Sequence, residues 1–321
     1  MNVDDLMAPY EGDVPGASVL VVRDGRVILR KSWGMADLEE HVATTPDTHV
    51  RLASVTKQFT AAAILILAHE GRLSLDDPIT RWLPSMPQYA SGITIRNLLT
   101  HTSGLLAYED LIPPGTTRQV HDIDVLHLLE KTTTTNFPPG LHYRYSNTGY
   151  SLLSLIVERA SGQPFAQFLH DRIFAPAGMQ TSVAFEEGIS TVPHRAYGYS
   201  RTDAGWRRTD QSLTSAVLGD GGIYTSIDDL VHWIAVLESG RFDEALVPRT
   251  PTDDPAIQYG YGWRITEHRG RRVVAHSGET IGFRNAIVRF PDQHLTVVVL
   301  TNRDEGDPNA IALQIADRAD S

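Results

Sequence analysis

The pair of residues whose spacing best suits covalent chemistry is the serine and the lysine of Ser54-Val-Thr-Lys57. Residues three apart lie on one face of a helix, about one turn from each other. The helix dipole would favour an anion that develops on Ser54, and the apolar residues after Lys57 would disfavour its ammonium form. The lysine amine can then help to deprotonate the serine hydroxyl. The alternative interpretation is a capping serine followed by a surface lysine.

A second candidate is Tyr145-Ser146-Asn147. A tyrosine beside a lysine can share its proton and act first as a general base and then as a general acid. An asparagine two residues later can position a substrate amide and the lysine. The same residues also fit a turn in which Ser146 caps a following helix, so both interpretations stay open.

The third candidate, His276-Ser277-Gly278, closes a predicted strand. The edge of such a strand can bind a substrate backbone by β-addition and donate an N–H to an oxyanion. The histidine can assist proton transfer or bind a carboxylate. Turn residues at a strand end explain the same triplet without any chemistry.

Motifs of other enzyme classes are missing from the sequence. There is no Gly-x-Ser-x-Gly elbow and no Gly-Lys pair for a phosphate-binding loop. His69-Glu70 lacks the second histidine of a zinc-protease helix because residue 73 is Leu73. The chain also has no cysteine. We therefore expect neither a metal ion nor a cofactor.

Strands that can carry these residues are predicted at both ends of the chain. Residues 17–23 and 26–32 are rich in β-formers and are joined by Asp24-Gly25, a strong hairpin signal. Four more strands are predicted near the other end, at 260–267, 271–277, 283–290 and 295–301.

Helices are predicted between these strands. Residues 54–70 are apolar nearly all round from Phe59 to Ala68, which indicates a buried helix that ends before Gly71. Further helices are predicted at 79–83, 95–99, 123–130, 149–161, 165–173, 227–238 and 308–318.

The order of these elements predicts an α+β fold, in which an antiparallel sheet from both chain ends is flanked by helices. Residues 1–53 plus 256–321 would form the sheet region, and residues 54–255 a large, mostly helical insertion. The two parts would make one structural unit, with the active site between them.

The charge balance narrows the choice of partners. The 321 residues include 28 basic and 39 acidic side chains, a net charge of −11, which disfavours binding to nucleic acid or an anionic membrane. The longest apolar run is too short to span a bilayer, and the first residues lack the pattern of a signal peptide. We expect a soluble, cytoplasmic protein, or a periplasmic or secreted one if a leader precedes this sequence. The sequence does not indicate an oligomeric state.

Taken in order, the three motifs resemble those of the serine β-lactamase/penicillin-binding-protein superfamily. The closest similarity is to the class C β-lactamase-like branch, which also contains D-Ala-D-Ala carboxypeptidases, D-aminopeptidases and family VIII carboxylesterases. The segments that resemble the signatures of this branch are Val14-Pro-Gly16, Leu52-Ala-Ser-Val-Thr-Lys57, Leu98-Leu-Thr-His-Thr-Ser-Gly104, Pro138-Pro-Gly140, Tyr145-Ser-Asn147, Gly221-Gly222 and Tyr261-Gly-Trp263.

The resemblance implies a role for each matching residue. Ser54 would be the acylated nucleophile, Lys57 its activator and Tyr145 the base. Asn147 would contact both the substrate and the lysine. His276-Ser277-Gly278 would occupy the place of the family's Lys-Thr-Gly, and the oxyanion hole would combine the N–H of Ser54 with that of Gly278 or Glu279.

The sequence departs from the family at His276, since no lysine follows Lys131. A neutral histidine binds a carboxylate less well than a lysine does. We therefore expect a serine hydrolase that acts on small esters, amides or D-amino-acid peptides, with carboxylesterase favoured. The alternatives are a D-Ala-D-Ala carboxypeptidase or penicillin-binding protein, a β-lactamase and, remotely, a catalytically silent ligand-binding homologue. His101 and Ser103 are expected to shape a turn rather than to take part in chemistry.

Overall fold

The main element of the fold is an eight-stranded antiparallel sheet built from both ends of the chain. The structure is a computed structural model that describes residues 1–319. Its strands are β1 (Ala17–Arg23), β2 (Arg26–Trp33), β10 (Thr250–Pro251), β11 (Gln258–Tyr259), β12 (Arg264–His268), β13 (Arg271–Thr280), β14 (Phe283–Phe290) and β15 (Leu295–Thr301). They run in the spatial order β10-β11-β12-β13-β14-β15-β1-β2. This arrangement confirms the predicted α+β class.

Smaller strands pair outside this sheet. They are β3 (Met35–Asp37), β4 (Val42–Ala43), β5 (Val50–Arg51), β6 (Val183–Ala184), β7 (Tyr199–Thr202), β8 (Gly205–Arg208) and β9 (Ile223–Thr225). Strand β3 pairs with β4, three strands pair in the order β5-β9-β6, and β7 forms a hairpin with β8.

The two chain ends meet where β1 pairs with β15, with Ala17 opposite Thr301. The predicted hairpin between β1 and β2 is confirmed, and Asp24 and Gly25 both take the positive φ angles of a primed turn. The strand predicted at 260–267 begins later, at Arg264. Its first residues form a tight turn instead, in which a Cβ on Gly260 would lie only 2.2 Å from the carbonyl oxygen of Ala245.

Helices cover both faces of the sheet. They are α1 (Asp4–Met7), α2 (Lys57–His69), α3 (Ile79–Trp82), α4 (Ile95–Leu99), α5 (Asp122–Leu129), α6 (Asn147–Ser161), α7 (Phe165–Leu169), α8 (Ala175–Ala177), α9 (Leu218–Gly221), α10 (Ile227–Glu238) and α11 (Pro308–Ala319).

The alternation of side chains along β1 divides the core into two layers. Leu20 and Val22 pack into the larger hydrophobic cluster, which contains α2. Val19 and Val21 point the other way, into a smaller cluster that contains Ile315 of α11. Both faces of the central strands are therefore buried, which anchors β13 and its neighbours beside α2.

Two predicted helices differ from the structure in helix type along part of their length. The helix predicted at 54–70 starts as a 3-10 turn at Ala53–Thr56 and becomes α-helical only at Lys57. The helix predicted at 165–173 divides into α7 and a π-helical turn at His170–Phe174. The first difference matters for function, because it places Ser54 in a tighter turn than an α-helix provides.

The division into 1–53 plus 256–321 and 54–255 remains a proposal, and its residues 320 and 321 lie outside those the structure describes. Strand β10 joins the sheet just before the proposed boundary at residue 256. Over residues 1–319, the structure contains no helix that is both long enough and apolar enough to cross a membrane.

Candidate active site

Ser54 lies where the start of the buried helix meets the edge of β13. The residue before it, Ala53, has a φ of +49°, unusual for a residue with a Cβ, so the chain turns sharply into the nucleophile position. Gly278 of β13 packs against this turn so closely that a Cβ there would lie 2.0 Å from the carbonyl oxygen of Leu52. The close contact of the two segments fixes Ser54 against the strand edge.

Lys57 is fully buried and has three hydrogen-bond partners. Its Nζ donates to Ser54 Oγ at 2.9 Å, to Asn147 Oδ1 at 2.8 Å and to the carbonyl oxygen of Asp220 at 3.0 Å. Three acceptors match the three donors of an ammonium group. The alternative of a surface lysine is therefore wrong, and this lysine orients the serine hydroxyl.

Tyr145 lies beside this lysine. Its ring centroid is 5.0 Å from Lys57 Nζ, and Arg264 Cζ is 5.7 Å from the same centroid. The phenol oxygen accepts or donates no hydrogen bond within residues 1–319, so it is free to contact a substrate. Its place next to the Ser54–Lys57 pair agrees with the expected role as the base.

Asn147 is the first residue of α6 and joins the lysine to an acidic side chain. Its Oδ1 accepts from Lys57, and its Nδ2 donates to Glu109 Oε1 at 2.8 Å. Ser146 caps the same helix by accepting from the N–H of Gly149 at 3.3 Å. Both interpretations of Tyr145-Ser146-Asn147 thus hold together, because the helix cap is what aims Asn147 at the lysine.

His276 is buried, and both of its ring nitrogens are engaged by protein atoms. Nδ1 contacts the carbonyl oxygen of Ser277 at 2.7 Å, and Nε2 contacts the Tyr259 hydroxyl at 3.0 Å. Burial, and then the nearby charge of Lys57, lower the pKa of His276 to about 3. Its imidazole is therefore neutral at pH 7 and brings no positive charge to the position of the family's lysine. Direct substrate contact by His276 stays a prediction.

The end of β13 offers an open strand edge next to the nucleophile. Pairing between β12 and β13 ends with Arg264 opposite Ala275, so the following residues, including Ser277 and Gly278, are paired only with β14. Glu279, farther along this edge, lines a small cleft together with Ser54. A substrate backbone can add to this edge, as expected for His276-Ser277-Gly278.

His101 contributes more than the predicted turn. It has a φ of +58° at the end of α4, and its Nδ1 accepts the N–H of Ser146 at 3.1 Å. Its ring lies 4.4 Å from that of Tyr145. Burial lowers the pKa of His101 well below its ordinary value, so it acts as a neutral support beneath the tyrosine. Ser103 does shape the turn, since its Oγ accepts from the N–H of Leu105 at 3.3 Å.

Three further residues near the nucleophile were not predicted from the sequence: Tyr108 and Asp220, which line the cleft, and Glu109, which contacts Asn147. Asp220 lies in the short helix α9, which Asp122 holds in place by accepting the N–H groups of Leu218 and Gly219. In the sequence, Asp220 lies within the glycine-rich segment Gly219-Asp-Gly-Gly222. The available signal was a carboxyl group next to Gly221-Gly222, one of the segments that resemble the family's signatures.

The arrangement supports acyl transfer. A hydroxyl held by a buried lysine, a free phenol and an open strand edge supply a nucleophile, a base and a backbone-binding site for the reacting carbonyl group. Within residues 1–319, no group of three or more His, Asp or Glu side chains is arranged to hold a metal ion.

Comparison with known proteins agrees with this geometry. The beta-lactamase family profile matches residues 2–320. The chain belongs to the beta-lactamase family. Its fold is that of the β-lactamase family, as the motifs predicted.

Curated relatives include D-aminopeptidases. That of Brucella ovis is 32% identical over 328 aligned residues, which cover 97% of this chain and 60% of the relative. That of Brucella anthropi is 32% identical over 314 residues, which cover 92% of this chain and 57% of the relative. This chain thus spans about three fifths of the length of the curated relatives it matches.

Similar solved structures cover nearly the whole chain. A penicillin-binding protein from Bacillus halodurans has a TM-score of 0.85 and 29% identity, covering 100% of this chain and 99% of that one. D-amino acid amidase from Ochrobactrum anthropi SV3 has a TM-score of 0.84 and 25% identity, covering 99% and 97%. The octameric penicillin-binding protein homologue from Pyrococcus abyssi has a TM-score of 0.86 and 27% identity, covering 99% and 75%.

Proposed function

We propose that this enzyme hydrolyses amide bonds on the carboxyl side of a D-amino acid whose α-amino group is free, as a D-aminopeptidase or D-amino acid amidase. The observation that carries the proposal is the hydrogen-bonded series Ser54–Lys57–Asn147–Glu109. In this series, Asn147 joins the exposed carboxylate of Glu109 to Lys57, which donates a hydrogen bond to the nucleophile Ser54. The similarity to D-aminopeptidases and a D-amino acid amidase supports it.

In the proposed mechanism, Ser54 Oγ attacks the substrate carbonyl. Lys57 already donates three hydrogen bonds, so it orients the hydroxyl and stabilises negative charge. Tyr145 would react as its phenolate and take the proton from Ser54 Oγ, which makes it a phenol. The N–H groups of Ser54 and of Gly278 or Glu279 would receive the oxyanion. Tyr145 then protonates the departing amine, and a water molecule hydrolyses the acyl-enzyme by the same steps.

A D-aminoacyl substrate fits the charges near Asn147. The α-ammonium group is bonded to the carbon next to the reacting carbonyl, so a substrate bound at Ser54 carries its positive charge into this region. Glu109 provides a negative charge there, and complementary charges favour the correct orientation of a substrate. An ester or amide without that ammonium group would gain nothing from Glu109.

The expected preference for carboxylic esters gains no support from the comparisons. Esters and amides pass through the same acyl-enzyme, and an ester is the easier bond to cleave. We therefore rank amides and peptides of D-amino acids first and treat ester hydrolysis as a secondary activity of the same nucleophile.

The direct test is turnover of D-alanine p-nitroanilide, its L-enantiomer and its N-acetylated form. We expect the enzyme to cleave the D-substrate with a free amino group best, and Ser54→Ala to abolish this activity. Because Glu109 is exposed, Glu109→Gln should raise KM for the D-substrate only about two- to fivefold. If p-nitrophenyl acetate were cleaved while all three anilides stayed intact, the esterase expectation would replace this proposal.

A second candidate is a D-peptide carboxypeptidase, and Arg264 is the observation that favours it. Within residues 1–319 its guanidinium forms no ion pair or hydrogen bond, and it shares a groove with His276 and Ser277. An unpaired arginine next to the site can receive a substrate carboxylate, a charge that the neutral His276 does not supply. Intact-mass measurement after incubation with benzylpenicillin tests this candidate, since a stable adduct on Ser54 would support it and Arg264→Gln should then slow acylation.

A further inference from the structure

The carboxyl group of Asp220 has no role in the mechanism described so far. Its backbone oxygen accepts from Lys57, but any residue at this position would offer that carbonyl. The side chain lies in the cleft that contains Ser54 and Asn147, and it is only 8% exposed. Burying a carboxyl group is unfavourable unless it is hydrogen-bonded or paired with a charge, so this one needs a physical reason.

The partners of Asp220 leave one oxygen free. Oδ2 accepts from the Tyr108 hydroxyl at 3.1 Å. Oδ1 accepts no hydrogen bond from residues 1–319. Oδ1 is not among the fully buried atoms, so it is accessible from the cleft that Asp220 lines together with Ser54. A ligand in this cleft can therefore offer Oδ1 a hydrogen-bond donor.

We propose that Asp220 is a specificity-determining residue whose carboxylate receives the α-ammonium group of the D-aminoacyl substrate inside the cleft, while Glu109 attracts it from the exposed side. This inference rests on the proposed function and names a residue that selects its substrate class. An ammonium group supplies donors for the free Oδ1 and a charge that offsets burial of the carboxylate.

Several charged groups influence the ionisation of Asp220. They are Lys57 on α2, Asp122 on α5, Glu109 on the segment before it, and Arg51 on β5. Burial is the largest influence and raises the pKa of Asp220, to about 7 overall. The positive charges of Lys57 and Arg51 lower this pKa, and the negative charges of Asp122 and Glu109 raise it. The carboxylate is thus lost as the pH falls below about 7 in the free enzyme.

This ionisation predicts a distinctive pH profile. The α-amino group of a substrate loses its proton near pH 8, so both charges coexist only between about 7 and about 8. For D-alanine p-nitroanilide, kcat/KM should fall on both sides of this window. The N-acetylated substrate has no ammonium group and should lack the acid limb that Asp220 produces.

The experiment compares Asp220→Asn with the parent enzyme on D-alanine p-nitroanilide and on its N-acetylated form. Asparagine keeps an acceptor for Tyr108 but removes the charge. We expect the preference for the free amine, expressed as the ratio of kcat/KM values, to fall about 10- to 100-fold, as for the loss of a charge-assisted hydrogen bond. Asp292→Asn, an exposed acid in a turn, is the matched control and should leave the ratio unchanged.

Tyr108→Phe gives an independent readout if Asp220→Asn does not fold. It removes the hydrogen bond to Oδ2, which favours the charged carboxylate, so the acid limb for the free amine should move to higher pH. A role in positioning Lys57 alone would change turnover of both substrates together.

The outcomes separate the two proposals. If the parent enzyme cleaves D-alanine p-nitroanilide but Asp220→Asn keeps the same preference and the same acid limb, Asp220 has no part in recognition, and the proposed function stands. If the parent enzyme cleaves no D-aminoacyl amide, the proposed function is wrong, and the role of Asp220 falls with it.

Discussion

The neutral, buried His276 makes a quantitative prediction about stability. Its pKa is about 3 in the folded protein against an ordinary value of 6.5, mainly because of burial. Between these values the unfolded chain binds a proton that the folded chain does not. The free energy of unfolding must therefore fall as the pH drops below 6.5, and it continues to fall down to about 3.

The magnitude follows from the linkage relation. This one histidine lowers the free energy of unfolding by about 0.2 kcal/mol at pH 7 and by about 2 kcal/mol at pH 5. The variant His276→Gln has no imidazole at this position, so this pH-dependent loss of unfolding free energy is absent from it. Glutamine can also accept from Tyr259, so some of the hydrogen bonding at this position is kept. The difference in unfolding free energy between the parent and the variant should thus shift by about 2 kcal/mol in favour of the variant between pH 7 and pH 5.

Urea unfolding at both pH values measures this shift. Buried His49 also resists protonation, but His276 is not among the causes of its lowered pKa, so its contribution cancels in the difference. The pKa of buried His101 is lowered mainly by burial, which the substitution keeps. His127→Gln, at an exposed position, is the matched control and should show no such change. A parent–variant difference that is the same at pH 5 and pH 7 would refute the view of His276 as a neutral residue, and with it the argument that this position lacks a charge.

Three other substitutions test the geometry of the site. Lys57→Met should lower kcat about 100- to 10,000-fold with D-alanine p-nitroanilide, and near-normal turnover would contradict the hydrogen bonds to Ser54. Gly278→Ala should lower kcat at least about tenfold, since the new Cβ must displace the strand edge from Leu52. Its control is Gly92→Ala, where a new Cβ would contact no other atom. Equal kcat values for the two variants would contradict the close contact of Gly278 with Leu52. His101→Leu should cost about 1–3 kcal/mol in urea unfolding, because the N–H of Ser146 loses its acceptor, and an unchanged midpoint would show that this bond is dispensable.

Much of the fold was predictable because the sequence patterns are local. The alternation in β1 and the Asp24-Gly25 turn determine a hairpin without reference to the rest of the chain. The predicted start of the strand at 260–267 was wrong because Gly260 packs closely against Ala245, a contact between distant segments. No periodicity in the sequence reveals such a contact.

In the active site, too, local contacts were predictable and contacts between distant segments were not. Ser54 and Lys57 are three residues apart, so helix geometry alone predicts their contact, and the structure shows it. Asp220 reaches Lys57 through a backbone carbonyl, and a backbone contact leaves no trace in the identity of the residue. Glu109 was missed because it meets Asn147 only after a loop folds back onto α6.

The distribution of charge around Ser54 gives the strongest reason to place short D-peptides above simple esters. Asp220 and Glu109 provide negative charge on the side of Asn147, and unpaired Arg264 lies in the groove that adjoins the end of β13. Glu279 borders both regions. A short D-peptide carries a positive amino end and a negative carboxyl end, and it can satisfy both regions across one scissile bond. An uncharged ester would leave Asp220 Oδ1 and the Arg264 guanidinium without a partner, and unsatisfied polar groups of this kind are what penalise the wrong substrate.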